Sequence, residues 1–386
     1  MEPNSPERLR DDWHSGRPLV LAGPTLIKAG LPTPEQVVKA TGLEDAICFG
    51  TSGSSGNPKL VVHNRASLRA SASMVNAHLG AEAGDRWLCA LPAFHVGGFC
   101  VHVRAEQLAE RPADVLGGRW DAERFADAIA DCGVAWSSLV PAQVADLVAT
   151  NRTAPCELRG IVVGGGALRG GVGDQARDLG WPVVQSYGMT ETASQVATGR
   201  PSEPFSPTAI PVIDGWILDP KKTGLRLRGA PLAAGYFERL ENTWKFCSLA
   251  DEDGWFLTSD LVEVAHDGVG GQTLNWIGRI DSQVKIVGEL VSLDRLQTIA
   301  ESLCSNEPTF PQDFAIIDIE SNTRDRKLIL AVGDSGAAEQ LFEEFNARPE
   351  IAGYERLSEV IRLPDPLPRS ALGKLRRGRL RELLKG

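Results

Sequence analysis

The pattern of hydrophobic and polar positions predicts alternating strands and helices over residues 46–187. Short apolar runs typical of strands cover residues 87–91, 134–139, 160–163 and 183–185. Segments with helical periodicity cover residues 65–78, 121–131 and 141–150. This alternation indicates a mostly parallel sheet with helices on its faces, whose ligand-binding loops gather at the carboxyl ends of the strands.

The pattern changes twice after this region. Residues 212–276 contain short segments rich in Gly, Trp and β-formers, typical of antiparallel strands or a small barrel. From residue 281 it predicts helices over 292–303 and 337–345 and strands over 314–319 and 327–332. We therefore expect a large α/β N-terminal domain, with mostly parallel sheets and a small β-barrel-like part, and a smaller α+β C-terminal domain.

The composition narrows the classes of function. With 386 residues, of which 42% are hydrophobic and 23% charged, the chain is long enough for two globular domains. Its net charge of −10 argues against broad nucleic-acid binding. We therefore interpret the basic residues at 374–381 as the solvated face of a helix; a nucleic-acid patch is the alternative.

The cysteines and the apolar runs indicate where the protein acts. Seven cysteines are scattered without a C-x-x-C pair, which favours free thiols in a reducing compartment. The N-terminal segment lacks an apolar signal core, and no apolar run reaches the ~18–20 residues of a membrane span. We expect a cytoplasmic protein without a membrane span, for which a homodimer is compatible with the sequence.

Residues 49–59 form a Ser/Gly loop that is suited to bind polyphosphate. The loop reads Phe-Gly-Thr-Ser-Gly-Ser-Ser-Gly-Asn-Pro-Lys, so glycines let backbone N–H groups converge while hydroxyls and Lys59 add donors. It is not a Walker A loop, since Lys59 comes three residues after Gly56 and precedes Leu60. A flexible linker is the alternative. Both this loop and residues 186–195 follow strand-like runs, so we expect both on the carboxyl rim of the sheet.

Four further motifs follow the loop in a fixed order. They are Ser186-Tyr187-Gly188-Met189-Thr190-Glu191-Thr192, Leu257-Thr258-Ser259-Asp260, Gly278-Arg279-Ile280-Asp281-Ser282-Gln283-Val284-Lys285 and Pro368-Arg369-Ser370-Ala371-Leu372-Gly373-Lys374. The ordered set resembles the adenylate-forming superfamily of acyl- and aryl-CoA ligases, peptide-synthetase adenylation domains and luciferases. Residues 91–98, 138–143 and 187–195 are most similar to the o-succinylbenzoate–CoA ligases of menaquinone biosynthesis.

This resemblance implies an AMP-forming acid–CoA ligase that uses ATP and Mg²⁺. A carboxylate would attack ATP to give acyl-AMP and pyrophosphate, and CoA would then displace AMP. Residues 1–280 would form the AMP-binding domain, and residues 281–386 a mobile lid domain that rotates about Asp281 and brings residues 283–288 to the site. The alternatives are an enzyme of the same fold that uses another acid or loads a carrier protein, and a catalytically silent nucleotide-binding module.

The resemblance also assigns roles to individual residues. The β- and γ-phosphates would be held by Thr51, Ser52, Gly53, Ser54, Ser55, Gly56 and Lys59. Thr190 would bind the α-phosphate, Glu191 would hold Mg²⁺, and Lys374 would bridge the carboxylate and the α-phosphate. The nucleoside would contact Tyr187, Gly188, Gly164, Gly165, Gly166, Asp260 and Arg279, with Tyr187 on adenine and Asp260 on the ribose.

The acyl group would contact a second set of residues, and each of these has an alternative interpretation. The set comprises His95, Gly97, Gly98, Arg104, Ser194 and Gln195. His95 would line or gate the acyl pocket, and we include it among the catalytic residues. The alternative is a core histidine whose hydrogen bonds are satisfied within the protein. Arg104 would meet a substrate carboxylate, or it would form a surface or structural ion pair. Ser194 and Gln195 would reach the acyl group, or they would cap the next helix.

Overall fold

The structure, a computed structural model, describes most of the chain. The described residues are 13–23, 26–27, 30–51, 59–109, 114–168, 170–240, 243–266, 270–307, 309–320, 326–369 and 375–384. The helices are α1 Pro34–Thr41, α2 Arg65–Leu79, α3 Val96–Ala109, α4 Ala122–Cys132, α5 Pro141–Ala149, α6 Gly170–Asp178, α7 Leu293–Asn306, α8 Ala338–Ala347 and α9 Arg377–Leu384.

The strands belong to several separate sheets. They are β1 Leu19–Leu21, β2 Ala46–Thr51, β3 Lys59–Asn64, β4 Trp87–Cys89, β5 Asp114–Val115, β6 Trp136–Leu139, β7 Gly160–Val163, β8 Val183–Tyr187, β9 Ala197–Thr198, β10 Ile210–Pro211, β11 Ile217–Lys221, β12 Gly224–Arg228, β13 Gly235–Leu240, β14 Thr243–Ser248, β15 Phe256–Leu257, β16 Asp260–His266, β17 Gln272–Arg279, β18 Gln283–Ile286, β19 Glu289–Ser292, β20 Phe314–Glu320, β21 Arg326–Val332 and β22 Leu357–Arg362.

A six-stranded sheet forms the centre of the N-terminal part, in the order β5-β4-β6-β7-β8-β9. All its pairings are parallel except that of β8 with β9. One apolar core contains Trp87 and Trp136, and a second contains Phe125, Trp181 and the inner face of α5. The alternation predicted from the sequence is therefore confirmed, because α4, α5 and α6 connect successive parallel strands.

A five-stranded sheet, in the order β1-β2-β3-β13-β14, carries the two ends of the Ser/Gly loop. Strands β2 and β3 are antiparallel, with Thr51 opposite Lys59. The prediction that this loop lies on the same rim as residues 186–195 is wrong, because the loop joins neighbouring antiparallel strands of a separate sheet. Apolar periodicity shows where a strand lies but not which strand it pairs with, so it did not distinguish this hairpin from a crossover.

Two three-stranded antiparallel sheets make up the predicted small β-part. Their orders are β10-β17-β16 and β11-β12-β15, and among the described residues they do not close into a barrel. Leu225, Leu227, Phe256 and Leu274 pack into the core that also contains Trp136, which joins this part to the six-stranded sheet.

The C-terminal part is a three-stranded sheet, β20-β21-β22, preceded by the hairpin β18–β19. Helices α7 and α8 cover one face, and α9 packs its buried Leu380 on the other. Arg377 and Arg381 of α9 pair with Asp294 and Asp318 at 2.7 and 2.6 Å. The basic tail therefore bonds to acidic residues of its own unit. The boundary at residue 280 stays a prediction.

The periodicity did not predict several elements, including one helix, one hairpin and one strand. Helix α3, the hairpin β13–β14 and strand β22 had no assignment from sequence, since glycines begin the first and the second is flanked by mixed polar residues. All seven cysteines are free, and four of them are buried. Among the described residues, no helix combines the length and apolarity needed to cross a bilayer.

Candidate active site

The Ser/Gly loop is anchored at its two ends by the β2–β3 hairpin. Thr51 Oγ1 donates to the carbonyl oxygen of Lys59 at 3.4 Å. The Lys59 ammonium lies 3.1 Å from the ring centroid of Tyr236 and 3.6 Å from Glu238 Oε1. Within the described residues, then, the lysine extends over β13. The predicted phosphate ligands Ser52, Gly53, Ser54, Ser55 and Gly56 lie outside the described residues.

The turn after β8 is held by strands of the other sheet. Residues Thr190–Thr192 form one turn of 3-10 helix. His63 Nε2 lies 2.7 Å from the Thr190 carbonyl oxygen, and the backbone N–H of Ala233 donates to the Glu191 carbonyl at 2.9 Å. The Tyr236 hydroxyl donates to Glu191 Oε1 at 2.9 Å. These bonds place the predicted α-phosphate and Mg²⁺ residues beside Lys59, at the end of the Ser/Gly loop.

The buried His63 has a defined tautomer. Because a carbonyl oxygen only accepts, Nε2 carries the proton, which leaves Nδ1 as an acceptor 3.0 Å from Ser67 Oγ. Complete burial lowers the pKa of His63 to about 4, so the imidazole is neutral at physiological pH.

Glu191 has the chemistry that a magnesium ion requires. Its carboxylate is partly exposed and has no cationic partner in the described part of the chain. Carboxylate oxygens are preferred ligands of Mg²⁺, which usually completes its shell with water and substrate phosphates. The residues present therefore fit the ion.

Tyr187, Asp260 and Arg279 form a connected group at the predicted nucleoside site. The Tyr187 hydroxyl donates to Asp260 Oδ2 at 2.7 Å, and Arg279 Nη1 donates to Oδ1 at 3.2 Å. Asp260 is only 5% exposed, so it depends on these donors for charge compensation. Burial raises the pKa of Tyr187 well above its usual value, which keeps the phenol a donor.

Two glycine segments shape the backbone of this region. The Gly164–Gly166 turn follows β7, and Gln185 Nε2 donates to the Gly166 carbonyl at 3.1 Å. At Gly188 an added Cβ would lie 1.6 Å from the Ser194 carbonyl oxygen, so no other residue fits without moving the chain. The backbone after β8 therefore folds closely onto residues 194–195. The contacts that the resemblance assigns to these glycines stay predictions.

Asp281 is bound tightly to Arg279. Arg279 Nε and Nη2 donate to the two oxygens of Asp281 at 2.8 and 2.7 Å. These bonds lower the pKa of Asp281. The Arg279 backbone N–H also donates to Asp294 Oδ2 at 3.2 Å, which connects the end of β17 to α7. The side chain of the predicted hinge residue is therefore held by a two-bond ion pair with Arg279, which we call the clasp.

Arg104 is a buried cation that has no acidic partner among the residues the structure describes. Its side chain is fully buried, and it lies on α3 with its guanidinium 5.2 Å from the Trp87 ring centroid. Its hydrogen bonds to Ser194 Oγ and Ser138 Oγ are long, at 3.3 and 3.5 Å, and its Nε finds no partner within the described ranges. No carboxylate pairs with it in the described residues, so the ion-pair alternative for Arg104 is wrong there.

The remaining acyl-site residues lie on both sides of Arg104 in the chain. His95 and Gly97 stand at the start of α3, where an added Cβ at Gly98 would meet the Pro92 carbonyl at 2.4 Å. The His95 ring packs against Phe94 at 4.5 Å between centroids. Its role at the acyl group stays a prediction.

Ser194 and Gln195 do not cap a helix. Strand β9 follows them, so the capping alternative is wrong. Gln195 Oε1 accepts from Thr198 Oγ1 at 2.5 Å, while its buried Nε2 has no partner in the described residues. Lys374, the predicted adenylation lysine, lies outside the described residues.

The sequence interpretation missed His63 and Tyr236. His63 is the penultimate residue of β3 and Tyr236 the second residue of β13, so both are typical of ordinary sheet positions. Their partners Thr190 and Glu191 lie 127 and 45 positions away in the chain, and no local pattern indicates such a contact. The pairing of β3 with β13 places His63 and Tyr236 on neighbouring strands, from which they reach Thr190 and Glu191.

Comparison with known proteins gives one family match and many relatives. The family model described as AMP-binding enzyme matches residues 9–236. The 2-succinylbenzoate–CoA ligase of Bacillus licheniformis is 29% identical over 361 residues, which cover 90% of this chain and 72% of that protein. The enzyme of that name from Bacillus subtilis is 28% identical over 367 residues, covering 87% and 68%.

Solved structures share the fold. The o-succinylbenzoate–CoA synthetase of Bacillus subtilis, in complex with its acyl-adenylate intermediate, gives a TM-score of 0.73 at 23% identity, over 98% of this chain and 81% of that one. The same enzyme with ATP and magnesium gives 0.71 at 24% identity, over 98% and 82%. At these identities the structures establish the fold, which agrees with the predicted α/β domain followed by a smaller unit.

Proposed function

The chain belongs to the AMP-binding enzyme family, and on that basis we propose that it is an ATP-dependent acid–CoA ligase acting on o-succinylbenzoate. The resemblance to adenylate-forming enzymes, stated from five ordered motifs, is confirmed by the family match and by relatives named 2-succinylbenzoate–CoA ligase.

The proposed first step is attack of the substrate carboxylate on the α-phosphorus of ATP, with pyrophosphate leaving. Lys59, Thr190 and Lys374 bind and orient the phosphates and the carboxylate, so that catalysis comes mainly from positioning and charge stabilisation. Asp260 and Tyr187 hold the nucleoside. Glu191 would hold a magnesium ion, which would supply positive charge to neutralise the phosphates.

The observation that carries the substrate assignment is the buried Arg104, which has no carboxylate partner in the described part of the chain. An uncompensated guanidinium in the interior is costly, so its site favours a ligand that supplies an anion. o-Succinylbenzoate has two carboxylates. One would react with ATP, and the other would pair with Arg104 beside Ser194.

The second step, thioester formation with CoA, uses the proposed domain arrangement. Residues 1–280 hold the acyl-AMP, and residues 281–386 rotate about Asp281, withdrawing Lys374 and presenting residues 283–288. The clasp between Asp281 and Arg279 lies at this junction, which supports the assignment of the hinge.

The decisive experiment measures pyrophosphate release with ATP, Mg²⁺ and o-succinylbenzoate, with and without CoA. We expect multiple turnovers only when CoA is present. Acyl-AMP that accumulates despite CoA would point to a carrier-protein acceptor. A protein that binds ATP but releases no pyrophosphate with this or other aryl and keto acids would be a silent nucleotide-binding module.

Two further properties stay predictions. A cytoplasmic location is supported by the seven free thiols. A homodimer is tested by light scattering on the purified protein.

A further inference from the structure

Tyr236 touches both charged groups that the proposed reaction needs at the phosphates. It lies on β13, opposite Val61 of β3, and so beside the strand that follows the Ser/Gly loop. Its hydroxyl donates to Glu191 Oε1 at 2.9 Å, and its ring centroid lies 3.1 Å from Lys59 Nζ. One side chain therefore contacts an anion at its tip and a cation on its face.

The chemistry of each contact is defined. A carboxylate only accepts, so the phenol donates to Glu191; burial and the Glu191 charge raise the pKa of Tyr236 and keep its proton in place. Ammonium over an aromatic face is a favourable cation–π arrangement. Glu238 Oε1 lies 3.6 Å from Lys59 Nζ and pairs with it.

The backbone around Tyr236 is fixed to the same turn. Ala233 N–H donates to the Glu191 carbonyl, and Ala234 N–H donates to the Val62 carbonyl, at 2.9 and 2.8 Å. An added Cβ at Gly235 would lie 2.2 Å from the Cys247 carbonyl oxygen, so this backbone is also closely packed. A side chain on such a strand can orient its partners without much freedom of its own.

We propose that Tyr236 is a positioning residue for magnesium-nucleotide binding, with its hydroxyl orienting Glu191 and its ring orienting Lys59. The proposal rests on the proposed function, in which Glu191 holds Mg²⁺ and Lys59 binds phosphate. Partners that orient metal ligands typically contribute about 10- to 100-fold to metal affinity or activity. Loss of the hydroxyl contact with Glu191 and loss of the ring contact with Lys59 should therefore have two separately measurable effects on binding.

The test is calorimetric binding of ATP at several Mg²⁺ concentrations, which requires no turnover and no acid substrate. Tyr236→Phe removes the hydroxyl and keeps the ring, so we expect the Mg²⁺ concentration for half-maximal ATP binding to rise about tenfold. Metal-free ATP binding should be unchanged. Tyr236→Leu should in addition weaken metal-free ATP binding, because Lys59 loses the aromatic ring that orients its ammonium group. Tyr354→Phe, at an exposed tyrosine, is the matched control.

A double-mutant cycle separates positioning from a general structural role. In a Glu191→Gln background, Tyr236→Phe should change the Mg²⁺ dependence no further. Equal Mg²⁺ dependence in wild type and Tyr236→Phe, or an additive effect in the Glu191→Gln background, would overturn the proposal. If wild type binds Mg·ATP but releases no pyrophosphate, the ligase assignment fails while the binding result still decides the role of Tyr236.

Discussion

Arg279 joins Asp260 to Asp281. Its Nη1 lies 3.2 Å from Asp260 Oδ1, and its Nε and Nη2 lie 2.8 and 2.7 Å from the two oxygens of Asp281. The antiparallel pairing of β16 with β17 sets Asp260 directly opposite Arg279. The proposed ribose ligand and the proposed hinge therefore share one guanidinium.

Replacing Arg279 by lysine should weaken nucleotide binding. A lysine keeps the charge but lacks the planar fork, so it cannot serve both carboxylates at once. Asp260 would then lose a charged hydrogen bond of about 1.5–3 kcal/mol, and we expect the Kd for ATP to rise about tenfold or more by calorimetry. Arg362→Lys, which alters an exposed pair with Glu339, is the control. Identical ATP affinity in Arg279→Lys and wild type would contradict this role.

Asp281→Pro should block thioester formation and leave adenylation largely intact. Proline restricts the backbone rotation that the second step needs. Because the substitution also removes the carboxylate that Arg279 binds, Asp281→Ala is the matched control for the loss of the clasp. The measurements are acyl-AMP formation and, separately, CoA transfer to supplied acyl-AMP. Equal CoA transfer in the proline and alanine variants would remove Asp281 as the hinge.

Local patterns predicted many of the elements but not the sheets to which they belong. Residues 160–163 and 65–78 were predicted as strand and helix, and the structure has Gly160–Val163 and Arg65–Leu79. The Ser/Gly loop was assigned to the wrong sheet because pairing partners are not encoded in periodicity. The family resemblance located Glu191, whereas its partner Tyr236 depends on the long-range pairing of β3 with β13.

Arg104→Leu should remove selectivity for a dicarboxylate. The variant leaves no buried cation for the second carboxylate, so kcat/KM for o-succinylbenzoate should fall about 100-fold, as expected for a lost charged pair of roughly 3 kcal/mol. The control substrate is 4-oxo-4-phenylbutanoate, which lacks the ring carboxylate. Its kcat/KM should change little, and wild type should use it poorly. Parallel losses for both acids would contradict the pairing and indicate a packing role against Trp87.

His63, which is buried, and His102, which is half-buried with its Nε2 enclosed, should make the fold less stable in mild acid. Burial lowers the pKa of His63 and of His102 to about 4. The unfolded chain protonates both near pH 6.5, so between pH 6.5 and 4 it binds protons that the folded chain does not. The free energy of unfolding therefore falls as the pH decreases through this window, by about 2 kcal/mol per histidine at pH 5.

The contribution of His102 can be isolated by urea denaturation at pH 7.5 and 5. Its Nε2 is buried without a hydrogen-bond partner in the described residues. His102→Gln therefore removes a titrating group without breaking a hydrogen bond at that atom among those residues. The difference between the two urea midpoints should shrink in this variant, since one of the two histidines no longer penalises the folded state in acid. His266→Gln, at an exposed position, should keep the wild-type difference. A His102→Gln variant that loses as much stability as wild type between pH 7.5 and 5 would show that His102 is protonated in the folded protein.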